Sequence, residues 1–230
     1  MKLKFLGIGS AFNTKYGNTS AYLKEGHQMF LIDCGCTVFS KIIEKGLLDD
    51  VEDLYIAITH SHPDHIGSLG DLIFYCYYVK RIRVHLIHRK KYVNVYYDYL
   101  SVMNVKNFMY DYIDKRFFIG ENIVELSPIE VRHDEGQNSY GFEITVGNDA
   151  IFYSGDTNSE NVVICFMENP QSILYHECSY YEKGLGVHTS FETLKKIPLE
   201  LRNRVWLMHI DCEQAIQEAR ALGFNIAQID

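Results

Sequence analysis

The chain has 230 residues, 47% of them hydrophobic and 23% charged, with four prolines and a formal net charge of −8. Those proportions support a folded core and exclude disordered, collagen-like and coiled-coil chains, and no apolar run approaches the ~20 residues of a membrane span. Thirty acidic against 22 basic residues disfavour unaided capture of a polyanion, although bound divalent ions would reverse the charge locally. At this length one domain covering residues 1–230 is expected. Met1 to Gly7 carries Lys2 and Lys4 without an apolar region or a cleavage site, so it reads as a first strand and the protein as cytoplasmic. The six cysteines are scattered, and Cys34-Gly35-Cys36 lacks the two-residue gap of a redox or zinc-ribbon pair, so they are expected to be reduced.

Alternating β-branched and aromatic residues predict strands over 2–6, 20–24, 28–33 and 54–59, each bounded by Gly, Asn, Asp or His. Helices are expected over 37–48 and 66–79, the second from the spacing of Ile66, Leu69, Ile73, Phe74 and Tyr77. A strand near 83–87 and a helix over 89–100 follow, then strands near 116–118, 122–133, 139–146 and 149–153. The chain closes with a helix near 159–167, strands over 172–176 and 204–208, and a helix from Glu213 to Leu222 stopped by Gly223. Strand clusters broken by helices in both halves predict an α+β fold, with two sheets face to face and helices outside: a four-layer α/β/β/α sandwich. The tyrosine- and phenylalanine-rich stretch 92–119 reads as core and helix-packing surface. The run from Lys80 to Lys91, six basic residues in twelve, reads as a solvated helix end and strand edge, with contact to a phosphate backbone the alternative.

The segment Thr59-His60-Ser61-His62-Pro63-Asp64-His65 places four metal-ligand side chains within six residues, between an apolar strand and a helix. On an extended chain His60, His62 and Asp64 project to one side, while His65 at the opening of the helix turns away by about 100°. One short loop can thereby serve two adjacent ions. Pro63 stiffens the turn and Gly67 permits close approach. Further candidates end other apolar runs: His133 after 129–131, Asp156 in Tyr153-Ser154-Gly155-Asp156-Thr157, and His209 after 205–208. His27, His85 and His88 have no partner motif.

These segments resemble the metallo-β-lactamase superfamily of binuclear metallohydrolases, and within it ribonuclease Z and its phosphodiesterase relatives. Phe5-Leu6-Gly7-Ile8-Gly9-Ser10 and Gly17-Asn18-Thr19-Ser20 are similar to that subgroup's opening, and Leu31-Ile32-Asp33-Cys34-Gly35 to its next strand. His176-Glu177-Cys178-Ser179 and His188-Thr189-Ser190 are similar to its late histidine loops. The resemblance implies one metal held by His60, His62 and His133, a second by Asp64, His65 and His209, and Asp156 bridging both. It implies two divalent ions, zinc foremost with manganese or iron as alternatives, and a shared hydroxide as nucleophile. Asp64 is placed with the catalytic residues as well as the ligands, and Asp33 in an orienting role behind the histidine loop. His188 is implied as proton donor to the leaving alkoxide with Glu177 orienting it, and His176 as support for the fold.

Transfer-RNA-processing members carry a long flexible arm between the positions of His133 and Asp156, and the 23-residue interval here holds two strands and a turn instead. The leading expectation is therefore a phosphodiesterase acting on a small nucleotide-like, cyclic-nucleotide or short-RNA diester. The alternatives are a metal-dependent hydrolase of a carboxylic ester, lactone, thioester or lactam, and a non-catalytic metal-binding protein. The subgroup resemblance also implies a homodimer.

Overall fold

The computed structural model describes residues 2–87, 93–169, 171–181 and 186–230. Strands β1 (Lys4–Gly7), β2 (Ser20–Glu25) and β3 (Gln28–Ile32) form an antiparallel meander, and β4 (Asp53–Ala57), β5 (Arg83–Ile87) and β6 (Asp111–Ile113) join β3 in parallel, giving the order β1-β2-β3-β4-β5-β6. The second sheet repeats that plan. Its meander is β7 (Arg116–Ile119), β8 (Asn122–Val131), β9 (Ser139–Val146) and β10 (Asp149–Tyr153), continued in parallel by β11 (Ile173–Glu177), β12 (Val205–Met208) and β13 (Asn225–Ile226). Tight hairpins make the meanders: Gly26 and Gly147, at φ 54° and 60°, supply the positive φ that a two-residue loop needs between strands of right-handed twist. Parallel neighbours require crossovers, which the helices supply.

Period-two alternation divides the first sheet between two cores. Phe30 and Ile32 of β3 face the second sheet and pack with Phe117, Val124, Leu126, Phe142 and Ile144. Met29 and Leu31 face the other way, onto helices α1 (Val38–Glu44), α3 (Leu69–Tyr75) and α4 (Val93–Val102). With helices on one side and a sheet on the other, β3 is apolar almost throughout, as a strand covered on both faces must be. Helices α5 (Asn161–Glu168) and α7 (Glu213–Ala221), with the single turn α6 (Phe191–Leu194) between them in the chain, cover the outer face of the second sheet through Val162, Val163, Phe166, Ala215, Ile216 and Ala219. The α/β/β/α arrangement expected from the sequence is the one observed.

Some local features depart from the expectation. The helix expected over 66–79 is interrupted, because Ser68 turns its hydroxyl onto the Gly35 carbonyl at 2.6 Å and accepts the Phe39 N–H at 3.1 Å. The chain makes one turn of helix, α2 (Pro63–Ile66), restarts as α3, and runs out through a π-helical turn Cys76–Lys80 that ends on Arg81 in the left-handed region. The edge strands β6 and β13 were not expected; at three and two residues they are too short to show alternation. The helix expected over 89–100 is seen as α4, and residues 88–92, including Tyr92 and the end of the basic run, lie outside the described residues. In the described part of that run, Lys80 pairs with Asp49 at 2.8 Å and Arg83 with Asp53 at 2.7 Å, which fits the solvated reading. The aromatic-rich stretch is mixed: Tyr96, Tyr110 and Phe117 are buried, whereas Tyr97, Phe108 and Phe118 are exposed. All six cysteines are free, and among the described residues no helix is long and apolar enough to cross a membrane.

Phe30 has no exposed surface and packs against Phe117 in a tilted ring pair with centroids 5.0 Å apart, whereas Phe118 is half exposed. Phe30→Ala is expected to cost about 3–5 kcal/mol in urea unfolding and Phe118→Ala no more than about 0.5 kcal/mol.

Candidate metal centre

The functional side chains gather where strands of both sheets end. Asp33 follows β3, the His60–His65 segment follows β4, His133 lies two residues beyond β8, Asp156 three beyond β10, Glu177 ends β11 and His209 follows β12. After β4 the chain stays extended to His62 (φ −68°, ψ 151°), and Pro63 then opens α2 as its first residue, where a missing N–H costs nothing. This corrects the strand-based geometry, because Asp64 is already helical and turns away from His60 and His62. It joins His65 instead.

Four overlapping donor sets result among the described residues; two of them hold the seven ligand candidates, and the other two add His188 and Glu177 to His133, Asp156 and His209. His60, His62 and His133 form one, with His62 Nδ1 3.0 Å from His60 Nε2 and 3.3 Å from His133 Nε2. Asp64, His65, Asp156 and His209 form the other, with Asp64 Oδ2 3.2 Å from His65 Nε2 and 3.4 Å from His209 Nε2. Asp156 Oδ2 belongs to both neighbourhoods: it lies 3.1 Å from His209 Nε2, 3.3 Å from His65 Nε2, 3.9 Å from His133 Nε2 and 4.0 Å from His60 Nε2.

These spacings suit metal ions. Ligand bonds of about 2.0–2.1 Å in a tetrahedral arrangement set neighbouring donor atoms about 3.3 Å apart. His65 Nε2 is moreover buried without a hydrogen-bond partner, aimed between the two carboxylates. Burial, and then the charge of His65, hold the His60 pKa well below the ordinary imidazole value, and burial lowers that of His62. Both therefore offer neutral lone pairs near pH 7. Burial works against charge on His65 too, but the carboxylates of Asp156 and Asp33 outweigh it and raise its pKa well above the usual value. Burial opposes ionisation of Asp156, and His209 and His65 overcome it, holding the carboxyl well below the usual range. Positive charge is thus favoured in this pocket, from protons or from metal.

A hydrogen-bonded chain behind the clusters fixes the ring tautomers. Asp33, fully buried at φ 64°, accepts the Thr59 N–H and hydroxyl, both at 2.8 Å, and the His65 Nδ1–H at 2.8 Å. Because the Thr59 hydroxyl donates to Asp33, its oxygen is left to accept from His60 Nδ1 at 3.1 Å. Both histidines therefore turn Nε2 inward, where it can hold either a proton or a metal ion, and His133 does likewise by donating Nδ1–H to the Val187 carbonyl at 2.8 Å. Thr59, Val187 and Asp134, whose Oδ2 lies 3.7 Å from His62 Nε2, are the supporting groups that sequence reading missed. No motif marks them; only the turn of the backbone does. His209 is also held at positive φ (57°), a strained conformation for a residue with a Cβ, costing roughly 1–2 kcal/mol. Gly35 lies under the loop, and a Cβ there would come within 1.9 Å of the Asp64 carbonyl oxygen.

His188 and Glu177 meet beside the clusters. His188 Nδ1 lies 3.3 Å from both Glu177 oxygens, and the carboxylate is fixed in turn by the N–H groups of Thr157 at 2.9 Å and Thr189 at 3.0 Å. The His188 ring lies 5.0 Å from that of His133 and 5.1 Å from that of His209. His176, buried, points its Nδ1 at the Glu177 carbonyl and is not part of the clusters. The clusters open into a cavity of about 590 Å³, lined by His62, Asp64, His133, Asp156, His188 and His209 together with the loop Ala11–Thr14.

The family model described as "Anti-Pycsar protein Apyc1" matches residues 1–227. The chain belongs to the Apyc1 family. Among individual Apyc1 proteins, that of Bacillus phage 010DV004 is 32% identical over 238 residues, covering 91% of this chain and 88% of the phage protein. That of Paenibacillus harenae is 26% identical over 220 residues, covering 91% and 89%. Solved structures similar to this member of the Apyc1 family include the metallo-β-lactamase fold protein YhfI of Bacillus subtilis, with a TM-score of 0.73 at 16% identity over 98% of this chain and 95% of that one. A diphosphatase of the PhnP family gives 0.71 at 17% over 99% and 94%, and the short form of human tRNase Z gives 0.65 at 17% over 93% and 94%. The fold is the metallo-β-lactamase fold.

Asp33→Ala would release His65 and Thr59 together. Zinc affinity, measured by competition with a chromophoric chelator, is expected to fall 10–100-fold.

Proposed function

We propose that this protein is a binuclear metal-dependent phosphodiesterase that opens a cyclic nucleotide or an equally small nucleotide-like diester. The observation that carries the proposal is the pair of donor clusters sharing Asp156 on a cavity beside the His188–Glu177 pair. Membership of the Apyc1 family, together with the likeness in fold to a diphosphatase of the PhnP family and to tRNase Z, supports the same reading. The chain is a metal-dependent hydrolase. The family match from residue 1 to 227 also supports treating it as one catalytic unit.

His60, His62 and His133 would hold one ion, Asp64, His65 and His209 the other, and Asp156 both. Imidazoles and carboxylates together suit zinc first, and accept manganese or iron. When bound, the ions supply Lewis acidity toward the phosphoryl oxygens and a nucleophile at neutral pH. Glu177 takes the His188 Nδ1–H, which leaves Nε2 as the position for the mobile proton. As the bond from phosphorus to the leaving oxygen breaks, His188 gives the Nε2 proton to the departing alkoxide. Thr157 and Thr189 keep Glu177 in place for that task through their N–H groups. A cavity of about 590 Å³ suits a mononucleotide and would not enclose a folded RNA.

Purified protein is expected to contain two metal ions per chain by elemental analysis and to hydrolyse bis(p-nitrophenyl) phosphate and 3′,5′-cyclic nucleotides. His62→Ala should abolish turnover with little change in fold. His188→Ala should keep both metals and slow cleavage of a diester with a poor leaving group on the order of 10²-fold. Metal-free protein, or turnover of esters and lactones alone, would overturn the assignment.

A further inference from the structure

Phe12 is 97% exposed, yet it stands on a short and firmly tied loop. The Ser10 N–H donates to the Ile210 carbonyl at 3.0 Å, and Asn13 Nδ2 donates to the same oxygen at 2.9 Å. Lys15 Nζ and the Tyr16 hydroxyl both reach Glu213, at 2.8 and 2.7 Å. Within the loop, the Asn13 N–H donates to Ser10 and the Thr14 N–H to the Phe12 carbonyl itself. The segment carrying Phe12 is therefore tied to the residue after His209 through the Ser10 backbone and the Asn13 side chain, and to the start of α7 through the side chains of Lys15 and Tyr16, while the ring is left in water. Water contact over a whole phenyl ring is unfavourable, and this one belongs to the lining of the cavity that holds the metal clusters.

The rest of the lining narrows what the ring can do. Among the described lining residues, Phe12 is the one aromatic ring besides histidine. Several neighbouring polar groups are already used to hold the walls: Asn18 Oδ1 accepts the Thr37 N–H at 3.0 Å, Thr37 Oγ1 accepts the Asn18 N–H at 2.8 Å, and Asn13 Nδ2 is on Ile210. Donors and acceptors for reading the edge of a base are few on this side, and a π face is available. A diester seated over Asp156 must carry its organic substituent toward some part of this lining.

We propose that Phe12 is the nucleobase platform of the site, a specificity-determining residue that stacks on the base of the substrate while its phosphodiester lies at the metal clusters. The inference rests on the phosphodiesterase reading above. Stacking is tolerant of base identity because every base presents a π face, and it acts on binding rather than on bond cleavage.

The test compares wild type, Phe12→Ala and Phe12→Tyr, all metal-loaded, on a 3′,5′-cyclic nucleotide and on the base-free methyl riboside 3′,5′-cyclic phosphate. Phe12→Ala is expected to raise KM for the cyclic nucleotide about tenfold or more with kcat within about twofold, to leave kcat/KM for the base-free substrate unchanged, and to be rescued by Phe12→Tyr. A cyclic phosphate bearing 2-aminopurine should be quenched on binding wild type and less so on binding Phe12→Ala. Equal losses on both substrates would make Phe12 a support of the fold or of assembly and overturn the proposal, as would an unchanged KM for the cyclic nucleotide. Wild type that cleaves neither substrate would instead overturn the phosphodiesterase reading on which it rests.

Discussion

The carboxylate of Asp156 lies within 4.0 Å of four imidazole nitrogens while almost fully shielded from water. A charge so buried is tolerable only where opposite charge and hydrogen-bond donors surround it, because its desolvation costs several kcal/mol. The surrounding groups come from both sheets: His60 and His65 from the segment after β4 in the first, His133 and His209 from the ends of β8 and β12 in the second. Bringing the two sheets face to face and neutralising Asp156 are thus one structural event. The inter-sheet core of Phe30, Ile32, Phe117, Phe142 and Ile144 carries the hydrophobic gain that holds the histidines together.

The centre is braced from beneath by neutral and backbone groups as much as by charge. Asp33 and Thr59 form a relay that turns the Nε2 atoms of two histidines inward at once, and its geometry depends on Asp33 adopting a left-handed backbone directly after β3. His209 is held in the same strained region. Aspartate and histidine are among the side-chain-bearing residues that enter it most readily, so the strain is modest and the surrounding hydrogen bonds sustain it. The cavity lining has two chemically different parts. One carries the clustered imidazoles and carboxylates with the His188–Glu177 pair; the other, the loop from Ala11 to Thr14, is tied down by hydrogen bonds and presents one exposed ring.

Strand positions, the two-sheet arrangement and all seven clustered ligand candidates were legible in the linear chain. Apolar alternation is strong in strands such as β3, β9 and β10, and the HxHxDH spacing has few structural uses other than holding metal. The break in the helix after Ile66 was not legible, because it arises from the Ser68 hydroxyl meeting a carbonyl more than thirty residues away. Strands β6 and β13 escaped for want of length.

By itself the sequence determined which chemical groups are available and, through periodicity and strand-end position, that they would converge on one rim: side-chain type and local spacing are properties of the chain alone. The partition of those groups was decided only by tertiary structure. That Asp64 sides with His65 rather than with His60 and His62 follows from a helix starting at Pro63, packed where Gly35 leaves room for the Asp64 carbonyl. That His60, His65 and His133 present Nε2 follows from Asp33, Thr59 and Val187, whose contacts span up to 54 residues of chain. Such contacts are set by how two sheets stack, and no local pattern of residues encodes them.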